Sequence, residues 1–222
     1  MPGAFLDEFS RFIKEKKKIR IVCIRLMITM KNVKAEMFNK KASDPKSKPD
    51  QILETLALQP GQNIADIGAG GGYFSLRFAD AVGRKGQVFA VDTNPEFLEF
   101  IRKGALEKGL DNVKTVLVAG DKLTLPEKSL NLIFLRNVYH HLPNRVEYFK
   151  NLKGLLKPDG KIVIVEYKRG GFFSFHRIFG HYVRKETIVK EMNEAEYRLE
   201  EDFDFLPKQS FTIFSVKITP YG

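Results

Sequence analysis

The segment ADIGAGGGYFSLRFA, from Ala65 to Ala79, constrains this chain more than any other. It joins a short apolar run to a helix-periodic run through a turn with glycine at Gly68, Gly70, Gly71 and Gly72. A buried strand, a turn stripped of Cβ atoms and a helix in that order let a ligand lie directly against peptide groups. The next apolar run, Gln87 to Val91, ends on the acid Asp92, at the distance where such folds grip a ribose. These residues read as a nucleoside site.

The spacing says which kind of nucleoside. A dinucleotide fingerprint wants a third glycine three positions after the second, where helix and strand close over a pyrophosphate. Tyr73 stands there instead. Asp66, an acid inside an otherwise apolar strand end, repels phosphate at short range and suits a ligand carrying an ammonium group. S-adenosylmethionine has that ammonium and no phosphate.

Three further segments follow in order: VFAVDTNPEFLEF (Val88 to Phe100), VAGDKLTLPEKSLNLIFLRNVYHHL (Val118 to Leu142) and LLKPDGKIVIVEY (Leu155 to Tyr167). With the glycine turn they resemble the class I S-adenosylmethionine-dependent methyltransferases, over roughly Lys48 to Thr219. The resemblance implies a donor site built from Asp66, Gly68, Ala69, Gly70 and Gly72 in the first motif. It implies Asp92 and Thr93 at the ribose, and Gly120, Asp121 and Lys122 around the adenine, with Asp121 facing the exocyclic amine. Arg136 and Asn137 would flank the donor from the fourth strand.

Alternation of periods sets the fold class. Strands are predicted at Asn63 to Ile67, Gln87 to Val91, Val113 to Val118, Leu130 to Leu135 and Lys161 to Glu166. Helices are predicted at Tyr73 to Val82, Pro95 to Lys108, Asn144 to Leu156 and Lys185 to Ala195. That pattern is an α/β, Rossmann-like, doubly wound sheet with helices on both faces. Arg198 to Phe205 and Phe211 to Thr219 read as two strands with a short connection, hence antiparallel. The sheet is thus expected to be mostly parallel with an antiparallel C-terminal strand, an ending that the methyltransferases share.

One domain, residues 45–222, accounts for this pattern, preceded by a basic leader at 1–44. Pro45 and Pro49 forbid a continuous helix between them. A short helix after Pro49, with Ile52, Leu53 and Leu56, is expected to pack across the donor side. Of the net charge of +10, residues 1–50 hold 13 Lys and Arg against 6 Asp and Glu, so the rest is nearly balanced. Lys14, Lys16, Lys17, Lys18 and Arg20 would serve nucleic acid or an anionic surface, or form a solvated extension. The apolar stretch Ile19 to Met30 is interrupted by Arg20 and Arg25 and is too short for a bilayer, so no membrane span is expected. The single cysteine, Cys23, excludes an intrachain disulfide and a cysteine-built zinc site, no metal is expected, and a reducing cytoplasmic setting is the default.

Candidate catalytic groups cluster after the fourth strand. His140 and His141 carry imidazoles, which titrate near neutrality, and Glu166 closes the fifth strand. Adjacent residues at a helix start diverge, so one histidine is expected to face the pocket. Each of the three also has a purely structural reading as a partner of the strand-to-helix turn. Lys168 to Arg184, with Phe172, Phe173, Phe175, Phe179 and Tyr182, reads as an aromatic lid over an apolar pocket, or as the core of a helix. The motif for methylating adenine amino groups has two prolines where this chain has Val138-Tyr139, and no cysteine nucleophile lies in the domain. The HHL triplet and the Leu156-Lys157-Pro158-Asp159-Gly160 turn look most like the small-molecule branch, including enzymes of quinone biosynthesis. A small-molecule methyl acceptor is therefore expected. An RNA methyltransferase using the basic leader, a non-catalytic S-adenosylmethionine-binding module and a nicotinamide-dependent oxidoreductase are the rival readings. Oligomeric state has no signature in the chain.

Overall fold

The computed structural model describes Lys16 and residues 33–119, 123–168 and 182–217. Gly120, Asp121 and Lys122, nearly all of the aromatic segment after Lys168, and Thr219 lie outside the described residues, as does the leader apart from Lys16 and residues 33–44.

Residues 33–43 are helical (α1), followed by α2 (Pro49–Leu56), β1 (Asn63–Ile67), α3 (Tyr73–Val82), β2 (Gln87–Asp92) and α4 (Pro95–Glu107). Then come β3 (Val113–Leu117), β4 (Leu130–Arg136), α5 (Arg145–Leu152), β5 (Leu156–Tyr167), α6 (Lys185–Glu194), β6 (Tyr197–Phe203) and β7 (Gln209–Val216). Local chemistry sets several boundaries. Asn94 caps α4 by accepting from the Glu96 N–H at 2.8 Å, with Pro95 in the first turn, where its missing N–H costs nothing.

The strands form one sheet in the order β3-β2-β1-β4-β5-β7-β6. Neighbours from β3 to β5 are parallel, while β7 runs antiparallel to both β5 and β6. This is the expected Rossmann-like sheet with its reversed ending. Alternate residues of each strand face opposite layers. Ile64, Val88, Phe134 and Val163 pack with Phe74 and Phe78 of α3 and Ile52 of α2, while Ile67, Val91, Leu135 and Ile164 pack with Phe149 of α5 and Ile188 of α6. The strand order reverses between β1 and β4, which opens a crevice at their carboxyl ends.

Three expectations are corrected. The helix predicted at Asn144 to Leu156 ends at Leu152, because the Gly154 and Leu155 carbonyls accept from Lys128 and Ser129 N–H groups and draw the chain into a 3-10 turn. Strand β5 accordingly begins at Leu156, paired with Leu130, rather than at Lys161. Helix α2 buries Ile52 among the α3 side chains and lines no part of the crevice, which is walled instead by Phe38, Asn39, Lys41 and Ala42 of α1.

Candidate active site

The glycine turn is held open by its neighbours. Gly68 has φ +72°, and a Cβ there would lie 2.7 Å from the Val138 side chain just beyond β4. Any other residue would both strain the backbone and clash with Val138. Gly72, also at positive φ, would drive a Cβ into Ile101 of α4; it serves close helix packing and does not line the crevice. At Gly71 a Cβ would strike the Ala35 carbonyl and the Asn39 amide, so α1 lies directly on the turn. Asn39 accepts from the Tyr73 N–H at 3.1 Å and donates to the Gly71 carbonyl at 2.8 Å.

Asp92 ends β2 with one carboxylate oxygen accepting from the Gly70 N–H at 2.8 Å and the other from the Asn94 N–H at 2.9 Å. The acid one strand over therefore fixes the glycine turn as well as facing the crevice. Asp66, 4% exposed, accepts from the Ser75 hydroxyl at 2.5 Å. Burial pushes its carboxyl up to about 6 against the pull of that hydrogen bond, and repulsion from Asp92 adds to the rise.

The crevice opens into a cavity of about 690 Å³. The structure brings Asp66, Gly68, Ala69, Gly70, Asp92, Thr93, Arg136, Asn137, His140 and His141 together on its wall, with Tyr73, Tyr148 and Tyr167 among the aromatic lining. Asn137 sits at φ +56° and accepts from the Gln209 side chain at 2.5 Å, so β7 holds the tip of β4 in a left-handed turn. His140 and His141 lie in a 3-10 turn, Tyr139–His141, and both border the cavity, contrary to the expectation of one; their rings are 4.0 Å apart.

Glu166 is fully buried and does not reach the cavity. Its two oxygens each lie 3.0 Å from His140 Nδ1, and it accepts the His140 N–H at 3.2 Å and its own neighbour's, Tyr167, at 2.7 Å. It holds the imidazole from behind the cavity wall and does not itself line the cavity. Below the turn, Tyr139 donates to Glu191 at 2.7 Å, and Arg145 forks onto the same carboxylate with two 2.7 Å bonds. This ties the histidine turn to α6. Among the contacts the sequence did not reveal, Asn39, Gln209 and Glu191 stand out; each reaches the site from more than 30 residues away.

The residues present fit an adenosyl ligand with an amino-acid tail. A cradle that Cβ atoms would fill and the carboxyls of Asp66 and Asp92 lie on the wall of one cavity of about 690 Å³. Fold and site together define a Rossmann-like methyltransferase domain. The model of the methyltransferase domain family matches residues 58–205, and the chain belongs to that family. It carries an S-adenosylmethionine-dependent methyltransferase domain.

The chain is similar to the ubiquinone/menaquinone biosynthesis C-methyltransferase of Shewanella sp. (strain W3-18-1), at 24% identity over 155 residues, 67% of this chain and 62% of that protein. It thus spans about three fifths of the length of such relatives. Among solved structures, a SAM-dependent methyltransferase from Aquifex aeolicus superposes with a TM-score of 0.72 at 21% identity, covering 80% of this chain and 96% of that one. The CcbJ methyltransferase from Streptomyces caelestis gives 0.64 at 16% identity, covering 76% and 88%. Both likenesses concern the fold.

Proposed function

We propose that the protein methylates a small-molecule acceptor, with His140 as general base. The observation that carries this reading is one cavity whose wall holds both the Gly68 to Gly71 turn with Asp92 and the His140 imidazole, which Glu166 holds from behind. S-adenosylmethionine supplies a methyl group already activated by a positive sulfur. The chain's own work is then alignment, exclusion of water and handling of one proton.

In this reading Asp92 and Thr93 hold the ribose, and the Gly68, Ala69 and Gly70 backbone with Asp66 receives the amino-acid tail. The acceptor enters from the Tyr148, Pro143 and His141 side of the same cavity. Nδ1 of His140 bonds Glu166, and in this reading the other ring nitrogen, Nε2, takes the acceptor's proton. As the acceptor atom bonds the methyl carbon, the carbon–sulfur bond breaks, the sulfur keeps the electron pair, and His140 takes the acceptor's proton. A recessed cavity of about 690 Å³ whose lining mixes aromatic rings with polar groups suits a small organic acceptor better than a nucleic-acid strand. The names of the quinone-biosynthesis relatives point the same way. Among the described residues no helix is long and apolar enough to cross a membrane.

Calorimetry with S-adenosylmethionine and NAD tests the donor, and incubation with labelled donor and fractionated cell extract tests the acceptor. Label is expected in small organic molecules. Label confined to RNA, or binding of NAD alone, would overturn the reading.

A further inference from the structure

Arg136 ends β4 with its guanidinium inside the cavity wall, and its Nε is buried with no hydrogen-bond partner. Among the described residues it is the one buried side-chain nitrogen or oxygen in that condition. The Asp66 carboxylate attracts the guanidinium at a distance, but it is bonded to Ser75 and forms no hydrogen bond or ion pair with Arg136. The guanidinium lies over the Phe74 ring, 5.3 Å from its centroid, a cation–π contact that leaves Nε without a hydrogen-bond acceptor.

Register explains the placement. Asp66 pairs with Phe134, two residues before Arg136, so Asp66 and Arg136 share one face of the sheet. Val165 pairs with Arg136, so Tyr167 shares that face one step farther along β5. Tyr73 and Tyr167 also line the cavity, and both phenols lie close enough to Arg136 to act on its charge.

Leaving a buried charged donor unpaired is costly, and such groups are rare in folded proteins. The cost is sensible where a bound molecule provides the missing acceptor. A guanidinium fork matches a planar oxyanion better than any neutral group. Burial also lowers the pKa of Arg136, so an anion set against it would restore what desolvation removes.

We propose that Arg136 is the receptor for an anionic oxygen group, carboxylate or phenolate, on a molecule bound in the cavity. The proposal deepens the methyl-transfer reading and rests on it. The anion has two possible sources: the carboxylate of the donor's amino-acid tail, or an acidic acceptor that binds as its anion.

The test compares parent, Arg136→Gln and Arg136→Lys. Calorimetry measures S-adenosylmethionine against its decarboxylated analogue. Absorption of 4-nitrophenol, which distinguishes phenol from phenolate, measures anion capture by protein saturated with S-adenosylhomocysteine. If the donor's tail is the anion, the parent prefers the carboxylated compound at least ten-fold, and Arg136→Gln abolishes that preference. If the acceptor is the anion, donor affinity is unchanged by the substitution, the parent binds nitrophenol as phenolate, and Arg136→Gln loses that binding at least ten-fold. Arg136→Lys restores part of either effect.

A parent that shows neither preference overturns the proposal even if Arg136→Gln fails to fold. So does a folded Arg136→Gln that keeps both properties. A parent that binds no S-adenosylmethionine fails the methyl-donor reading itself, whereas intact binding with unchanged discrimination in Arg136→Gln overturns the anion assignment alone.

Discussion

His140 Nδ1 stands 3.0 Å from both carboxylate oxygens of Glu166, a side chain with no exposure to solvent. Two oxygens on one ring nitrogen, with the His140 N–H on the same carboxylate, leave the imidazole little freedom. His140→Ala is expected to lower turnover by about a hundred-fold, the usual worth of a positioned general base. Donor affinity should stay within two-fold of the parent. Glu166→Gln keeps the shape but removes the charge behind the ring, so turnover should fall by about ten-fold or more. Single-turnover methyl transfer beside donor calorimetry separates these effects. A Glu166→Gln enzyme with an unaltered rate would return the pair to a structural role.

Asp92 touches the Gly70 N–H, and that contact makes the donor site and the glycine turn one unit. Asp92→Ala removes the acceptor for two backbone N–H groups and, in the proposed reading, the ribose partner with it. Donor affinity should weaken by at least about 1 kcal/mol, since hydrogen bonds to a charged group are worth that or more. Calorimetry on the folded variant reads it directly. Unchanged affinity would remove Asp92 from the donor site.

What was legible in the chain was what the chain builds locally. The Gly68 to Gly72 turn, Asp92 and the alternation of strands and helices are written within a few residues of one another, so period and spacing expose them. His140 and Glu166 were visible singly as chemistry, but their pairing depends on β4 and β5 lying side by side, 26 residues apart in sequence. The helix boundary at Leu152 was missed because hydrogen bonds from the Lys128 to Ser129 turn decide it, and helical periodicity carries no trace of them. Composition set residues 1–44 apart, yet 33–43 cover the glycine turn, a contact made from outside the run of motifs.

Asn39 is the point where that helix engages the site. Helix α3 has Gly72 at its N-cap and thus no capping side chain of its own. The Asn39 amide supplies the cap from another helix by accepting the Tyr73 N–H, and it ties down the Gly71 carbonyl as well. Asn39→Ala should cost about 1 to 2 kcal/mol of stability, as lost caps do, and weaken the donor because the turn loosens. Asn39→Asp keeps the acceptor and is expected to recover most of the stability but not the bond to Gly71. Thermal unfolding with and without donor measures both. An Asn39→Ala protein equal to the parent in each would show that α1 merely rests on the turn.

Asp66 sets stability against donor binding, and pH separates them. Its carboxyl is pushed up to about 6, chiefly by burial, so the folded chain holds that proton more tightly than the unfolded chain does. Stability from this group is therefore fully present below the ordinary carboxylate range and is lost as pH rises through about 6. At pH 7.5 the ion is formed at a cost of about 3 kcal/mol, which Asp66→Asn removes while keeping an acceptor for Ser75. The donor-free variant should accordingly resist urea better than the parent at pH 7.5, with the gap closing toward pH 5. Donor binding should run the other way. A cationic ammonium beside Asp66 needs the carboxylate, so the parent's affinity should fall as pH drops through about 6, while the variant's is weak and flat. A variant that gains stability yet binds donor as the parent does at every pH would leave Asp66 buried for some reason other than the ligand, and would remove the ammonium from its side of the cavity.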